Sequence, residues 1–401
     1  MNYVSSRLAP VKPSASATVS AAAKAARARG EDVIDLGLGE PNFDTPKHIV
    51  EAAHAAALDG QTRYPPHDGT AALKQAVSDK LKRDNNLDYD LSEVIVSNGA
   101  KQIIFNAIMA SIEQDDEVLL CAPYFGSYAD IVLILGGKPV SVPCTAEDGF
   151  RLTPQNLEAA ITPKSRWLFL NLPSNPSGAV FSADDLKAIG AVVAKHPNLM
   201  VLSDEIYEHI LFDGQKFDSF AEVCPDLKDR VLTVNGVSKA YAMTGWRIGY
   251  GAGPQPLIKA MTKVQSQISS GACSVAQAAA VAALNGPQDE VHRFREAFEN
   301  RRNLVVDRVA KIDGLTLDPP GGAFYALIGC DGCIGAKTPQ GKTIENDIDF
   351  AQFLLDEAKI AAVPGDAYGL SPFFRISTAT SEDVLTEAMD RIEAAVGKLE
   401  K

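Results

Sequence analysis

Residues 93–111 read EVIVSNGAKQIIFNAIMAS. The opening run, with Val94, Ile95 and Val96 in succession, shows no polar alternation, which is the pattern of a strand buried on both faces. Asn98 and Gly99 break it, and Ile103, Ile104, Ala107 and Ile108 then recur at helical spacing on one face. A buried strand, a tight turn and an amphipathic helix make the unit of a parallel sheet covered by helices. The pattern continues with β-rich runs at 117–121 (EVLLC), 138–142, 166–170 (RWLFL), 199–203 (LMVLS) and 231–234 (VLTV), separated by helical periodicity. The fold class is therefore α/β.

Outside this block the reading predicts helices near 18–29 (stopped by Gly30), 47–59 and 70–84 before it. Helices near 255–285 and 288–311 follow it. The last ninety or so residues read as a smaller α+β unit, with strand 323–328, helix 347–358, strand 373–377 and helix 381–397. The expected organisation is a large domain over 47–290, with 1–46 joining 291–401 in a small one.

The chain has 401 residues, 38 Lys+Arg against 51 Asp+Glu, and a net charge of −13, which argues against nucleic acid or an anionic membrane as partner. Its 46% apolar and 22% charged residues are those of a globular protein. Six scattered cysteines do not make a disulfide scaffold. No signal-peptide core and no run of membrane-spanning length is present, so a cytoplasmic location with reduced thiols is expected.

Four segments carry chemistry-bearing residues at the ends of separate strands. In NGVSKAYAMTGWRIGY (235–250), Lys239 and Arg247 sit in an apolar, glycine-bracketed stretch; they read either as surface charges or as partnered functional ones. Ser97-Asn98-Gly99-Ala100-Lys101 joins a strand to a helix N-terminus, an ordinary turn or an anion cradle. Asp204-Glu205-Ile206-Tyr207 brings a carboxylate and a phenol to a strand C-terminus, the ligand edge of an open α/β sheet. Asn171 and Asn175 stand in the turn-rich NLPSNPSG at that same edge. Together they supply what pyridoxal phosphate requires: a lysine for covalent attachment, an acid for the ring nitrogen, donors to the ring hydroxyl and a phosphate site.

The sequence resembles the class I aminotransferases among the fold-type I pyridoxal-phosphate enzymes, in the bacterial aspartate aminotransferase subgroup. The resemblance is carried by LGLGEPNFDTP (36–46), RYPPHDG (63–69), SNGAKQ (97–102), APYFGSY (122–128), NLPSNPSG (171–178), DEIY (204–207), SKAYAMTGWRIG (238–249) and FRISTAT (374–380). It implies a mostly parallel seven-stranded sheet in a large domain plus a smaller α+β domain, a homodimer, and pyridoxal 5′-phosphate as cofactor. Lys239 would hold the cofactor and then act as acid–base catalyst, and Asp204 would bond the ring nitrogen. Tyr207 and Asn175 would hold the ring hydroxyl, and Phe125 would stack on the ring. Gly99, Ala100, Lys101, Ser238 and Arg247 would surround the phosphate, helped by Tyr64 of a second subunit. Arg375 would clamp the substrate α-carboxylate as a bidentate fork, with a Gly39 N–H on the same group. No metal is expected.

Phe125 stands where the subgroup often has Trp, and Gly236 where it often has Ser, so a phosphate contact is lost unless Ser238 compensates. The turn 65–68, Pro-Pro-His-Asp, also departs from the pattern. Lys101 is the candidate for a distal substrate carboxylate, with Ser14 and Ser16 lining the site; it would otherwise neutralise the cofactor phosphate. The implied activity is a ping-pong transfer of the amino group of L-aspartate or glutamate to a 2-oxo acid. Aspartate–glyoxylate, aspartate–prephenate or aromatic preferences, or another reaction of the cofactor such as a β-lyase, are the alternatives.

Other motifs read as decoys. Gly335 to Thr343 misses the P-loop spacing by one residue and contains Pro339. Cys330 and Cys333 lack a second pair for zinc. The glycines at 249, 251 and 253 fail the dinucleotide fingerprint.

Overall fold

The computed structural model describes residues 3–400. Seven strands form the central sheet: β1 (Val94–Ser97), β2 (Glu117–Ala122), β3 (Lys138–Pro143), β4 (Ser165–Asn171), β5 (Met200–Asp204), β6 (Val231–Gly236) and β7 (Gly249–Ala252). Their spatial order is β1-β7-β6-β5-β4-β2-β3. β2 pairs in parallel with β3 and β4, β4 with β5, and β5 with β6, while β7 runs antiparallel to β1 and β6.

The uninterrupted apolar runs are explained by burial on both faces. Leu119, Leu168, Leu170 and Val201 point into one core with helices Lys47–Leu58, Ala71–Asn85, Ala183–Lys195 and Ser274–Asn285. Their neighbours Val118, Leu120, Trp167, Phe169 and Leu202 point into the other, with helices Ala100–Ser111, Ser127–Ile134 and Gln255–Ile268.

β7 is the strand that sequence periodicity does not reveal. Its sequence, GYGA, reads as a loop, yet close packing requires its glycines: a Cβ on Gly251 would meet Ile103 Cγ2 at 2.8 Å. The helical region 255–285 is two helices, parted where Ser270 and Gly271 take left-handed backbone (φ 56° and 112°). The helix expected over 347–358 is α-helical only through Phe353 and ends in one π-helical turn, Leu354–Ala358.

The C-terminal unit holds an antiparallel sheet in the order Val363–Pro364, Phe373–Ser377, Tyr325–Gly329. Its core includes Val305, Phe350, Phe374, Leu385, Met389 and Ile392, with Cys330 and Cys333 buried among them. A parallel pair, Ile34–Asp35 with Ile360–Ala361, ties the segment before residue 47 to this unit, and helix Ala15–Ala28 packs on both strands of the pair. The stretch 335–343 is a surface turn closed by a Lys337–Thr343 bridge, with Lys342 on Asp349. Among the described residues no helix is long and apolar enough to cross a membrane, and no group of three His, Cys, Asp or Glu side chains could hold a metal ion.

Candidate active site

The residues that follow β1, β2, β4, β5 and β6 meet those that precede β7 around one cavity of about 470 Å³ at the sheet's C-terminal edge. Lys101, Phe125, Asn175, Asp204, Tyr207, Ser238, Lys239 and Arg247 line it. Ser14, Ser16, Gly39 and Arg375 close it from the N- and C-terminal segments.

Asp204 is the last residue of β5 and is buried. Burial pushes its carboxyl up to about 6, while bonds from Tyr128 and the Ile206 N–H pull the other way. Tyr128 Oη donates to Asp204 Oδ2 at 2.6 Å, and Asn171 Nδ2 donates to the Asp204 carbonyl at 3.0 Å. A cationic ring nitrogen beside Asp204 would lower its pKa again and favour the ionised form.

Lys239 lies beyond the end of β6, its Nζ donating to the Gly39 carbonyl at 2.6 Å. Its pKa is lowered to about 8, first by burial and then by the charge of Arg375. Arg375 from the C-terminal unit acts more strongly, Arg247 less, and Glu40 opposes both. The neutral amine needed by a base or nucleophile therefore rises in share as pH passes about 8 rather than 10.

Arg247 takes left-handed backbone (φ 57°) and donates to the Thr244 carbonyl at 2.8 Å. A Cβ on Gly99, itself at φ +86°, would come within 2.5 Å of Arg247 Nη2, and one on Gly249 would collide with the Ala100 N–H. Glycine at these positions lets the guanidinium and the start of β7 lie against the N-terminus of helix Ala100–Ser111, an anion-binding cradle. Gly236 is also sterically set, because a Cβ there would stand 2.9 Å from the Ile248 carbonyl oxygen.

Arg375, 1% exposed, sits in strand Phe373–Ser377. Nη1 donates to Asn175 Oδ1 at 3.0 Å, and Nη2 donates to the Gly37 carbonyl at 2.6 Å and Ser16 Oγ at 3.1 Å. Its guanidinium packs 4.4 Å from the Tyr325 ring centroid, while Nε is buried with no hydrogen-bond partner. A bidentate carboxylate is what such a fork takes. Lys101 Nζ donates to Ser127 Oγ at 3.0 Å and stands 5.1 Å from the Phe125 ring centroid. Tyr64 is 92% exposed and does not line the cavity.

Sequence reasoning missed three side chains. Tyr128 holds Asp204, as above. Tyr325 Oη lies 2.9 Å from Tyr207 Oη, and its hydroxyl occupies the place a Cβ on Gly39 would need. Tyr368 flanks Arg375 at 5.0 Å. The available signal, for Tyr325 alone, was a phenol in an otherwise apolar buried run, since a buried Tyr hydroxyl usually has a partner.

The donor set fits pyridoxal phosphate: a glycine-shaped anion cradle with an arginine, a buried carboxylate, a phenol with an amide, and a lysine of lowered pKa in one cavity.

The family model described as Aminotransferase class I and II matches residues 31–392. The chain is 54% identical to the aspartate aminotransferase of Rhizobium meliloti (strain 1021) over 394 residues, covering 98% of this chain and 96% of that protein. It is 52% identical to the probable aspartate/prephenate aminotransferase of Rickettsia bellii (strain RML369-C), covering 100% of both. The crystal structure of the aspartate aminotransferase from Rhizobium meliloti superposes with a TM-score of 0.97 at 52% identity, over 100% of both chains.

Proposed function

The chain belongs to the class I and II aminotransferases and is a pyridoxal-phosphate-dependent transaminase, and on that premise we propose that L-aspartate or L-glutamate is its amino donor. A 2-oxo acid is the acceptor, and the two half-reactions follow one another in a ping-pong sequence. The observation that carries this reading is that Lys101 and Arg375, two cations from different parts of the chain, line the same cavity as Lys239. A dicarboxylate needs two such partners, and a monocarboxylate needs one.

Bound pyridoxal phosphate supplies an electron-accepting ring and a carbon that carries the amino group between substrates. Asp204 would hold it at the ring nitrogen, Tyr207 and Asn175 at the ring hydroxyl, and Phe125 against the ring. Gly99, Ala100, Ser238 and Arg247 would hold the phosphate. Arg375 and the Gly39 N–H bind the α-carboxylate of donor and acceptor alike, so their contribution is orientation of the substrate Cα. Lys239 Nζ takes the proton from that Cα in the first half-reaction and returns one in the second.

Substitution Lys101→Ser tests the donor assignment. The expected result is a fall in kcat/KM for L-aspartate of about 10- to 100-fold, the effect of losing a charge-assisted bond, with little change for L-alanine. Equal losses for both donors would remove Lys101 from the distal site.

A second reading concerns the acceptor. Leu38, Ile104 and Phe125 give the cavity an apolar wall, which suits an acceptor with an apolar ring as well as carboxylates. Prephenate, which appears in the name of the Rickettsia bellii relative, is an acceptor of that kind. We further propose a cytoplasmic homodimer, in which a second copy covers the exposed Leu58, Tyr64 and Ile268 and Tyr64 reaches the neighbouring phosphate site.

A further inference from the structure

The segment Asp204-Glu205-Ile206-Tyr207-Glu208 faces two ways. Asp204 and Tyr207 line the cavity, whereas Glu205 and Glu208 are buried behind it. Glu208 Oε1 accepts from Lys80 Nζ and, at 2.7 Å, from Asn235 Nδ2. Its Oε2 accepts from Asn85 Nδ2 at 2.7 Å, and Lys80 Nζ also donates to Asn85 Oδ1 at 2.6 Å. Asn235 Oδ1 accepts from the Gly236 N–H at 2.7 Å. His209 Nε2 stands 3.4 Å from Glu208 Oε1.

One carboxylate thus joins three pieces of chain: helix Ala71–Asn85, the segment carrying Tyr207, and the end of β6 three residues before Lys239. Lys80 is fully buried, so both charges have left water. Such a pair contributes little net stability compared with apolar side chains of similar volume, although removing one partner alone is costly. What it does supply is geometry, through bonds of fixed direction at both oxygens.

We infer that Lys80 and Glu208, with Asn85 and Asn235, are positioning residues that set the Tyr207 hydroxyl and Lys239 Nζ in register across the cofactor site. This rests on the roles proposed above for Tyr207 and Lys239. Glu208 is the charged member of the two rear carboxylates. Burial pushes it up, but Lys80 and His209 outweigh that and hold it well below the usual carboxylate range. Glu205 is raised to about 8 by burial and by the Glu208 charge, and it bonds Ser203 and Ser219 instead.

The test compares holoenzyme carrying Lys80→Met/Glu208→Gln, which leaves no unpaired charge, with Glu208→Gln and with Asn85→Ala, which removes two bonds and no charge. The readouts are kcat and KM for L-aspartate, the visible circular dichroism of the bound cofactor, and Tm. In the double variant kcat should fall about 10- to 100-fold, the scale of a misplacement near 1 Å, with KM close to wild type and an altered dichroic band. Asn85→Ala should shift both in the same sense by less. Glu208→Gln should show the same losses with a lower Tm than the double variant, because Lys80 is left unpaired. A double variant or an Asn85→Ala protein with wild-type kcat and dichroism would overturn the clamp, whatever its Tm. Tyr207→Phe and Lys239→Ala run alongside. If they are impaired and the clamp variants are not, the clamp alone fails; if they too are normal, the site assignment fails.

Discussion

Lys239→Ala is expected to lower transamination by about four orders of magnitude or more, while the protein still retains its cofactor after gel filtration. Acid–base catalysis by a positioned side chain is worth about 10²- to 10⁴-fold, and this residue is also the proposed covalent anchor. Retention follows because the proposed noncovalent partners all remain: the Gly99–Ala100 turn, Asn175, Asp204, Tyr207 and Arg247. The lysine is partly buried and its hydrogen bond is to the Gly39 carbonyl, so its removal leaves no unpaired buried charge and the fold should persist. Turnover within tenfold of wild type would remove Lys239 from the catalytic role, and complete loss of cofactor would show that the other partners do not suffice.

Arg375→Ala carries the second large effect. Truncating one partner of a buried, hydrogen-bonded charge pair costs about 2–5 kcal/mol, roughly a 30- to 5000-fold fall in kcat/KM. Arg375 is proposed to bind the α-carboxylate in both half-reactions, so the loss should be similar for every amino donor and every 2-oxo acid. That distinguishes it from Lys101→Ser, whose effect is confined to dicarboxylates. Arg375→Lys should recover little, because an ammonium does not reproduce the planar fork now held between Asn175 and the Gly37 carbonyl. A loss seen only with aspartate and glutamate would reverse the two roles. Since Arg375 also bridges the N- and C-terminal segments, Tm is measured with the kinetics.

The central sheet's layout was readable because burial on both faces leaves an unmistakable mark: β2, β4, β5 and β6 are apolar runs bounded by polar turns. β7 was not readable, since the space beside Ile103 admits only glycine at 251 and a glycine-rich strand carries no β signal. The pairs Ile34–Asp35 with Ile360–Ala361 are two residues long, too short for periodicity to register. Within the site, residues borne on motifs were visible and residues supporting them were not. Tyr128 and Tyr325 look like ordinary core aromatics until the fold sets them on Asp204 and Tyr207. The lowered pKa of Lys239 likewise comes first from burial and then from Arg375, 136 positions along the chain, whose proximity only tertiary structure creates.

The proposed reaction moves an amino group from a dicarboxylic amino acid to a 2-oxo acid without releasing it as ammonia. Holoenzyme mixed with L-aspartate and no 2-oxo acid measures that directly, by counting products per bound cofactor. The expected result is about one equivalent of oxaloacetate, no free ammonia, and no further product until a 2-oxo acid is added, as the ping-pong sequence requires. Continuous release of ammonia or of carbon dioxide, or no oxaloacetate at all, would contradict it.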